Sequence, residues 1–340
     1  MRQIILFFGI AGGLLLIHFG LILINTCYFD PPRFSYASLW IKNFYIIKDH
    51  INSKPTNKQR LLIVSGSNSR FSFNGNIIDS QTHFAPINYG THVGLPINFH
   101  IDKIITQAHE GDIIFLPLEF NYYTNKEPFE DYAYIQSMLA WGNGYNKYIN
   151  KENILQAYLE NKPWDMLKLL FKPQKIENDP NPIATMEAIW VKGEQKYAGA
   201  TSYKSLNRYG DMCGHIGNKY FGNERYLKSN LTLSPFFLSE YNRLLEFAAS
   251  KNIKIFLIYP VTLENPSFSL KDPQTFAKIE NLKAELKKHN IEIYGDFRDF
   301  HFERKYFFDT AYHLNEEGAI LRTQAFIKLL EHMQQEGLIP

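Results

Sequence analysis

LLIVSGSNSRFSF, running from Leu61 to Phe73, is the stretch whose reading decides the fold. Leu61–Ser65 is an apolar run too short for a helix and stopped by Gly66, the pattern of a short strand buried on both faces. Ser67 therefore stands where a strand ends, in a Gly-Ser-Asn-Ser turn. In open α/β sheets ligands bind at the carboxyl ends of strands, so a hydroxyl delivered there is a candidate nucleophile. A turn serine that only hydrogen-bonds its own backbone has the same local sequence. What else the chain brings to that edge decides between the two.

Downstream, Pro86, Ile87, Asn88, Tyr89 and Gly90 read as a second turn. Leu95 to His109 reads as a helix ended by Gly111, and Asp112–Leu118 as another buried strand with Glu119, Phe120 and Asn121 at its carboxyl end. Strand, turn, helix and strand at these lengths make a βαβ unit. From Tyr132 to Ser234 the pattern changes to helical segments such as Asn153–Leu170, between loops rich in Pro, Asn and Gly such as Glu177–Pro182. With no strand series, this part reads as a cap inserted over the sheet edge; it holds Trp141, Trp164 and Trp190, and caps set specificity more than chemistry. Within it, LNRYGDMCGH (Leu206–His215) holds Asp211, Cys213 and His215, which raises a metal reading, but no second pair at ligand spacing accompanies them. The βα rhythm resumes with Ser234 as N-cap and a helix from Pro235 to about Ala249. Ile253–Tyr259 is a strand closed by Pro260. A helix from about Pro273 to His289 spaces Phe276, Ile279, Leu282 and Leu286 by three and four, Ile291–Tyr294 is a strand, and Glu316–Gln335 is an amphipathic closing helix.

A chain of 340 residues can form one large domain with an insertion or two modest ones. A net charge of +2 without any Lys/Arg cluster argues against nucleic acid as a partner. The 21 Tyr and 27 Phe suit a sugar-handling cleft and ordinary core packing alike. Ile4–Ile24 carries no charge and is long enough to cross a bilayer at about 1.5 Å per residue. Its exit, Asn25-Thr26-Cys27-Tyr28, lacks a small-x-small cleavage pattern, so an uncleaved signal anchor is expected; lipidation of Cys27 is the alternative. Arg2 and the amino terminus favour a cytoplasmic start and an extracytoplasmic remainder. Cys27 and Cys213 make no disulfide framework, and a single bridge between them stays open. Residues 29–60, with Pro31, Pro32 and the polar run Asn52–Arg60, read as a spacer. Deleting residues 1–28 is accordingly expected to leave a soluble folded domain. Gel filtration and circular dichroism check this, and a chain that fails to fold without the anchor counts against the spacer.

Between the last strand and the last helix lies YFFDTAYHLNEEG, Tyr306–Gly318, with Asp309 and His313 just before a helix start. A three-layer α/β fold brings this loop to the same sheet edge as Ser67. An imidazole takes a serine proton when an acceptor holds its other nitrogen, so an acid near a histidine in one loop has a rationale. A helix cap beside a surface histidine has the same residues. Ser67 in its turn after the first strand, Gly90 after the second and Asp-x-x-x-His-Leu-Asn-x-x-Gly before the final helix together resemble the SGNH (GDSL-type) hydrolase superfamily. The likeness is greatest to its membrane-anchored extracytoplasmic branch of acyltransferases and esterases acting on polysaccharides, peptidoglycan and teichoic acids, and it covers residues 61–121 and 235–335.

The resemblance implies Ser67 as nucleophile, His313 as general base and Asp309 as its orienting acid. It implies the amides of Ser67 and Gly90, with the Asn121 side chain, as oxyanion donors. Two departures stand out: the third block reads Leu118-Glu119-Phe120-Asn121, and the acid-to-histidine spacing is one residue longer than Asp-x-x-His. Asn68 stands beside the serine where the family often has Asp, and bonding the turn is its other role. The expected fold is α/β, three-layer α/β/α with a mostly parallel sheet, a helical cap and one N-terminal transmembrane helix. Its segments are 1–28 anchor, 29–60 spacer, 61–131 first half, 132–234 cap and 235–340 second half. The expected activity is a serine-dependent O-acyl, foremost acetyl, esterase or acyltransferase on an envelope or capsular polysaccharide, without cofactor or metal. Its setting is the periplasmic face of the cytoplasmic membrane, with a membrane protein as candidate acyl donor. The rival expectation is a catalytically inactive glycan-binding or assembly protein of the same fold.

Overall fold

The computed structural model describes residues 1–23, 36–125, 148 and 179–340. Asn25–Tyr28, the helix expected at 153–170, Trp141 and Trp164 lie outside the described residues. The chain divides into two compact units, Met1–Lys42 with Phe129–Pro180 and Asn43–Pro128 with Asn181–Pro340.

The first unit contains helix α1 (Arg2–Leu23). Among the described residues it alone is long and apolar enough to cross a membrane; an N-terminal signal has the same features. Its side chains, including Ile5, Phe8 and Leu16, are exposed rather than packed into a core.

The second unit holds a parallel sheet of β1 (Gln59–Ile63), β2 (Phe84–Asn88), β3 (Ile113–Leu116), β4 (Lys254–Ile258) and β6 (Ile293–Tyr294), in the order β2-β1-β3-β4-β6. A short parallel pair, β5 (Thr262–Leu263) and β7 (His301–Phe302), lies outside it. Successive residues of a strand face opposite ways, yet every residue of β3 and all of Leu61–Ile63 are buried. Both faces of the sheet are therefore covered, as parallel sheets require. Pro235–Ser250 packs against Ile97–Gln107 and β4, while Glu316–Gln335 packs against Ser67–Ser72 and Gly75–Gln81. From β1 the chain runs outward to β2 on one side, and from β3 outward to β4 and β6 on the other. The crevice between the carboxyl ends of β1 and β3 is the point where the order reverses, where doubly wound sheets bind ligands.

Four segments differ from the sequence expectation. The strand expected to begin at Leu61 begins at Gln59, because the Arg60 guanidinium pairs with Asp112 (Nε to Oδ1 2.7 Å, Nη2 to Oδ2 3.1 Å) and so lets a charged residue enter the sheet. Pro86 lies in β2, opposite Leu61, not in a turn. β2 is an edge strand, where a missing N–H is tolerated, so the proline was a misleading breaker. Residues 29–60 are not spacer throughout. Tyr36–Asn52 is a helix, α2, and its Phe44, Ile47 and Lys48 are buried in the sheet-bearing unit. Residues 181–234 of the expected cap likewise belong to that unit. There Trp190 is buried, and its indole donates to Leu206 O at 3.1 Å.

Candidate active site

Gly66 leaves the end of β1 with extended backbone and opens the short helix α3 (Ser67–Ser72), all of whose residues are buried. No side chain of its own caps that helix. Glu119, fully buried beyond β3, does so from the neighbouring strand: its carboxylate accepts from Gly66 N at 3.1 Å and Asn68 N at 3.0 Å. A methyl group on residue 66 would come within 2.5 Å of Glu119 Oε1, so glycine is what lets the carboxylate approach. Asn68 ties three strands together. Its amide donates to Pro117 O beyond β3 and to Ser65 Oγ beyond β1, and its oxygen accepts from Val261 N beyond β4. Asn68 is therefore a clasp of the turn with its hydrogen-bonding groups engaged inside the fold. Ser67, between these held positions, is 6% exposed, and its hydroxyl has no hydrogen-bond partner among the described residues.

The second loop is shaped by its own sequence. Asn315 caps the helix Glu316–Gln335 by accepting from Gly318 N at 3.0 Å, and its amide reaches Gly217 O and Lys305 O. Gly318 permits the close return of the chain, since a Cβ there would meet Tyr306 O at 2.7 Å. Phe307 bridges Leu314, closing a turn that carries Asp309 and His313 at its tip. The extra residue between acid and histidine is absorbed by that turn, and His313 Nδ1 lies 2.6 Å from Asp309 Oδ1. With Nδ1 engaged, Nε2 makes no hydrogen bond among the described residues, and His313 is 9% exposed.

Two contacts bring this turn to the edge that carries Ser67. The imidazole stacks on Phe71, one helical turn beyond Ser67, at 4.0 Å and 12°. Tyr312 OH accepts from Phe120 N beyond β3 at 3.4 Å. His313 thus packs on α3, the helix that opens with Ser67, and no direct hydrogen bond joins the two residues. The guanidinium of Arg70 lies 4.8 Å from the Phe71 ring and 4.8 Å from the Phe44 ring. Burial pulls the Asp309 carboxyl up, but the His313 hydrogen bond and the charges of His313 and Arg70 hold it below the usual range. For His313, burial outweighs the attraction of Asp309 and lowers the imidazole below its ordinary value, leaving it neutral and able to accept a proton at pH 7. Burial pushes Glu119 the other way, up to about 7, against the hydrogen bonds from Asn68 and Gly66.

The two other expected oxyanion donors are placed differently. The Gly90 amide donates to Asn88 Oδ1 at 2.8 Å, so it is held within its own turn. Gly90 also packs against α3: a Cβ would fall 2.5 Å from Ser69 Cβ. Asn121 opens the short helix Asn121–Thr124 and is exposed; its side chain has no partner among the described residues. The Cys-and-His segment near Met212 is structural: Asp211 accepts from Gly75 N, Asn88 Nδ2 and Asn207 Nδ2, while His215 Nε2 reaches Phe71 O at 3.3 Å. Among the described residues no group of three or more His, Cys, Asp or Glu side chains is arranged to hold a metal ion.

Elsewhere in the same unit an alcohol, an imidazole and an acid are joined by hydrogen bonds. His301 Nδ1 lies 2.8 Å from Thr262 Oγ1, and its Nε2 lies 2.8 Å from Glu264 Oε2. Thr262 is fully buried and both imidazole nitrogens are taken, so this trio fastens β5 to β7 and offers nothing to a substrate. At His313, by contrast, only Nδ1 is engaged, and Nε2 makes no hydrogen bond among the described residues. Glu119, Phe71 and Arg70 are the residues sequence reasoning missed; the one local signal was an acidic residue directly after a buried strand. The chain matches no protein-family model, and no curated protein matches it.

Proposed function

We propose that the chain is a serine-dependent O-acyl esterase or acyltransferase of the SGNH type, with the three-layer α/β/α arrangement of that superfamily. Its substrate would be an acylated, foremost acetylated, polysaccharide or glycoconjugate of the cell envelope. The observation that carries the reading is the Asp309–His313 pair stacked on the helix that begins with Ser67, with His313 Nε2 and the Ser67 hydroxyl making no hydrogen bond among the described residues. In this scheme Ser67 Oγ attacks the acyl carbonyl while His313 Nε2 takes its proton. The carbonyl electrons return, the sugar oxygen leaves with that proton, and an acyl-serine remains. Water or a second sugar hydroxyl then gives its proton to His313, attacks the acyl carbon and frees Ser67. Asp309 holds the imidazole tautomer and offsets its transient charge. The Ser67 amide and the Asn121 side chain are the donors left for the oxyanion. The N-terminal helix would tether the catalytic unit to the periplasmic face, near a membrane protein supplying acyl groups.

One observation favours a second reading, a glycan-binding or assembly protein that keeps the fold without the chemistry: the Gly90 amide is held by Asn88. A serine-directed fluorophosphonate separates the two. An adduct mapped to Ser67, together with hydrolysis of p-nitrophenyl acetate, supports the enzyme; neither adduct nor turnover leaves the binding protein. Turnover is also expected to fall on the acid side as His313 gains a proton, with an apparent pKa below 6.5, while Asp309 stays ionised. A rate profile from pH 4.5 to 8 checks this, and an acid limb centred above 6.5 contradicts it.

A further inference from the structure

We propose that Glu119 is a positioning residue for Ser67, its carboxylate gripping the two backbone amides on either side of the serine and so fixing the direction of the Ser67 hydroxyl and amide. This rests on the reading of Ser67 as nucleophile and adds a residue to it that the resemblance does not name.

Three features set Glu119 apart from an ordinary helix cap. First, the cap comes from another strand. Short helices are commonly capped by a Ser, Thr, Asp or Asn at the preceding position. Here Gly66 occupies it, and the acceptor reaches across the crevice from beyond β3. Second, the choice of group is costly. Burying a carboxyl is unfavourable, and a local cap would satisfy one amide without it. When ionised, which burial confines to pH above about 7, the carboxyl does what a hydroxyl or carboxamide cannot: it presents two acceptor oxygens and no donor, so Gly66 N–H and Asn68 N–H are both met without a clash. Third, the amide between them is that of Ser67, and it makes no hydrogen bond among the described residues. The grip therefore holds the residue before and the residue after the serine and leaves the serine's own N–H and O–H for a reacting group. Tyr123 and Tyr312 are the titratable side chains that feel the Glu119 charge, and both are buried phenols that stay neutral.

The test uses the full chain in detergent. Active sites are first counted by fluorophosphonate adduct at Ser67, and the labelling rate and p-nitrophenyl acetate kinetics are then expressed per titrated serine. Glu119→Gln keeps the shape but turns an NH2 group toward one of the two amides; Glu119→Asp keeps the charge but shortens the reach. The expected result is a labelling rate and kcat lowered about 10- to 100-fold per titrated serine, with KM little changed, as misplacement of a reacting group by about 1 Å produces. Asp is expected to lose less than Gln. A purely structural role lowers the number of titrated serines and leaves the rate of each unchanged, and that result overturns the inference. So does failure of both variants to fold, which makes Glu119 a support of the fold alone. If the wild-type chain takes no adduct at Ser67, the proposed function fails first and the inference with it.

Discussion

Ser67→Ala removes the fluorophosphonate adduct altogether and lowers turnover of an acetyl ester by about four to six orders of magnitude, with the melting temperature unchanged. The expectation is this large because nucleophile and base act as a unit. Without the alcohol there is no acyl-serine, and the open imidazole of His313 has no proton to take. His313→Ala is expected to cost nearly as much, and the double variant no more than either single one. Asp309→Asn should cost somewhat less, about 10⁴, because the 2.6 Å contact then holds the imidazole in the wrong tautomer. The order of these losses separates the site from its inert counterpart: His301→Ala disturbs a closed, buried trio, and its effect should appear in stability rather than in rate per labelled serine. Kinetics and melting curves on the same preparations give both readings. Activity retained by Ser67→Ala ends the proposal, whatever the other variants do.

How much of this was legible beforehand depends on which forces are local. The parallel strands at Leu61, Ile113 and Lys254 announced themselves because a strand covered on both faces is a nearly continuous apolar run. The closing helix Glu316–Gln335 was legible for a different reason: Asn315 and Gly318 are its cap and its close approach, and both depend on the identity of one residue. The Asp309–His313 pair was legible for the same reason, being a contact inside one turn. Pro86 misled, because whether a proline breaks a strand depends on whether that strand is at the sheet edge, and the edge is set by chain segments far away. Gly90 was read by analogy as an oxyanion donor. Its amide instead meets Asn88, because Asn88 also bonds Ser69 O and Asp211, more than a hundred positions on. Glu119 was silent for that reason too: a carboxylate after a strand reads as a surface charge until the partner amides beyond β1 are known. Non-local hydrogen bonds were what the sequence concealed.

The largest of those concealed features predicts the largest loss of stability. Lys48, on the helix read as spacer, is fully buried and donates to Asn88 O at 2.5 Å and Gly210 O at 2.6 Å. Asp211 is buried beside it, bonded through Asn88 and Asn207. Burial pushes the Lys48 ammonium down, partly opposed by the attraction of Asp211; burial likewise raises Asp211, opposed by its hydrogen bonds and by Lys48. Each charge makes the other tolerable. Lys48→Met leaves two buried carbonyls without their donor and removes a charge that eases the burial of Asp211, a loss of about 2–6 kcal/mol at about 1–3 for each unsatisfied group. Since single domains are stable by only about 5–15 kcal/mol, a substantial part of the protein's stability is at stake at one position no reading of the spacer would have chosen. Asp211→Asn alone should also destabilise, because Lys48 is then the uncompensated charge. The double variant removes both charges and should lose less than the sum of the single losses, by about 1–3 kcal/mol. Urea unfolding of the four proteins measures that coupling; losses that add within about 0.5 kcal/mol mean that the two charges do not support one another. The segment at Tyr203–His215 is held against the edge strand by the hydrogen bond from Asn88 N to Tyr209 O, and its His215 meets Phe71, the ring on which His313 stacks.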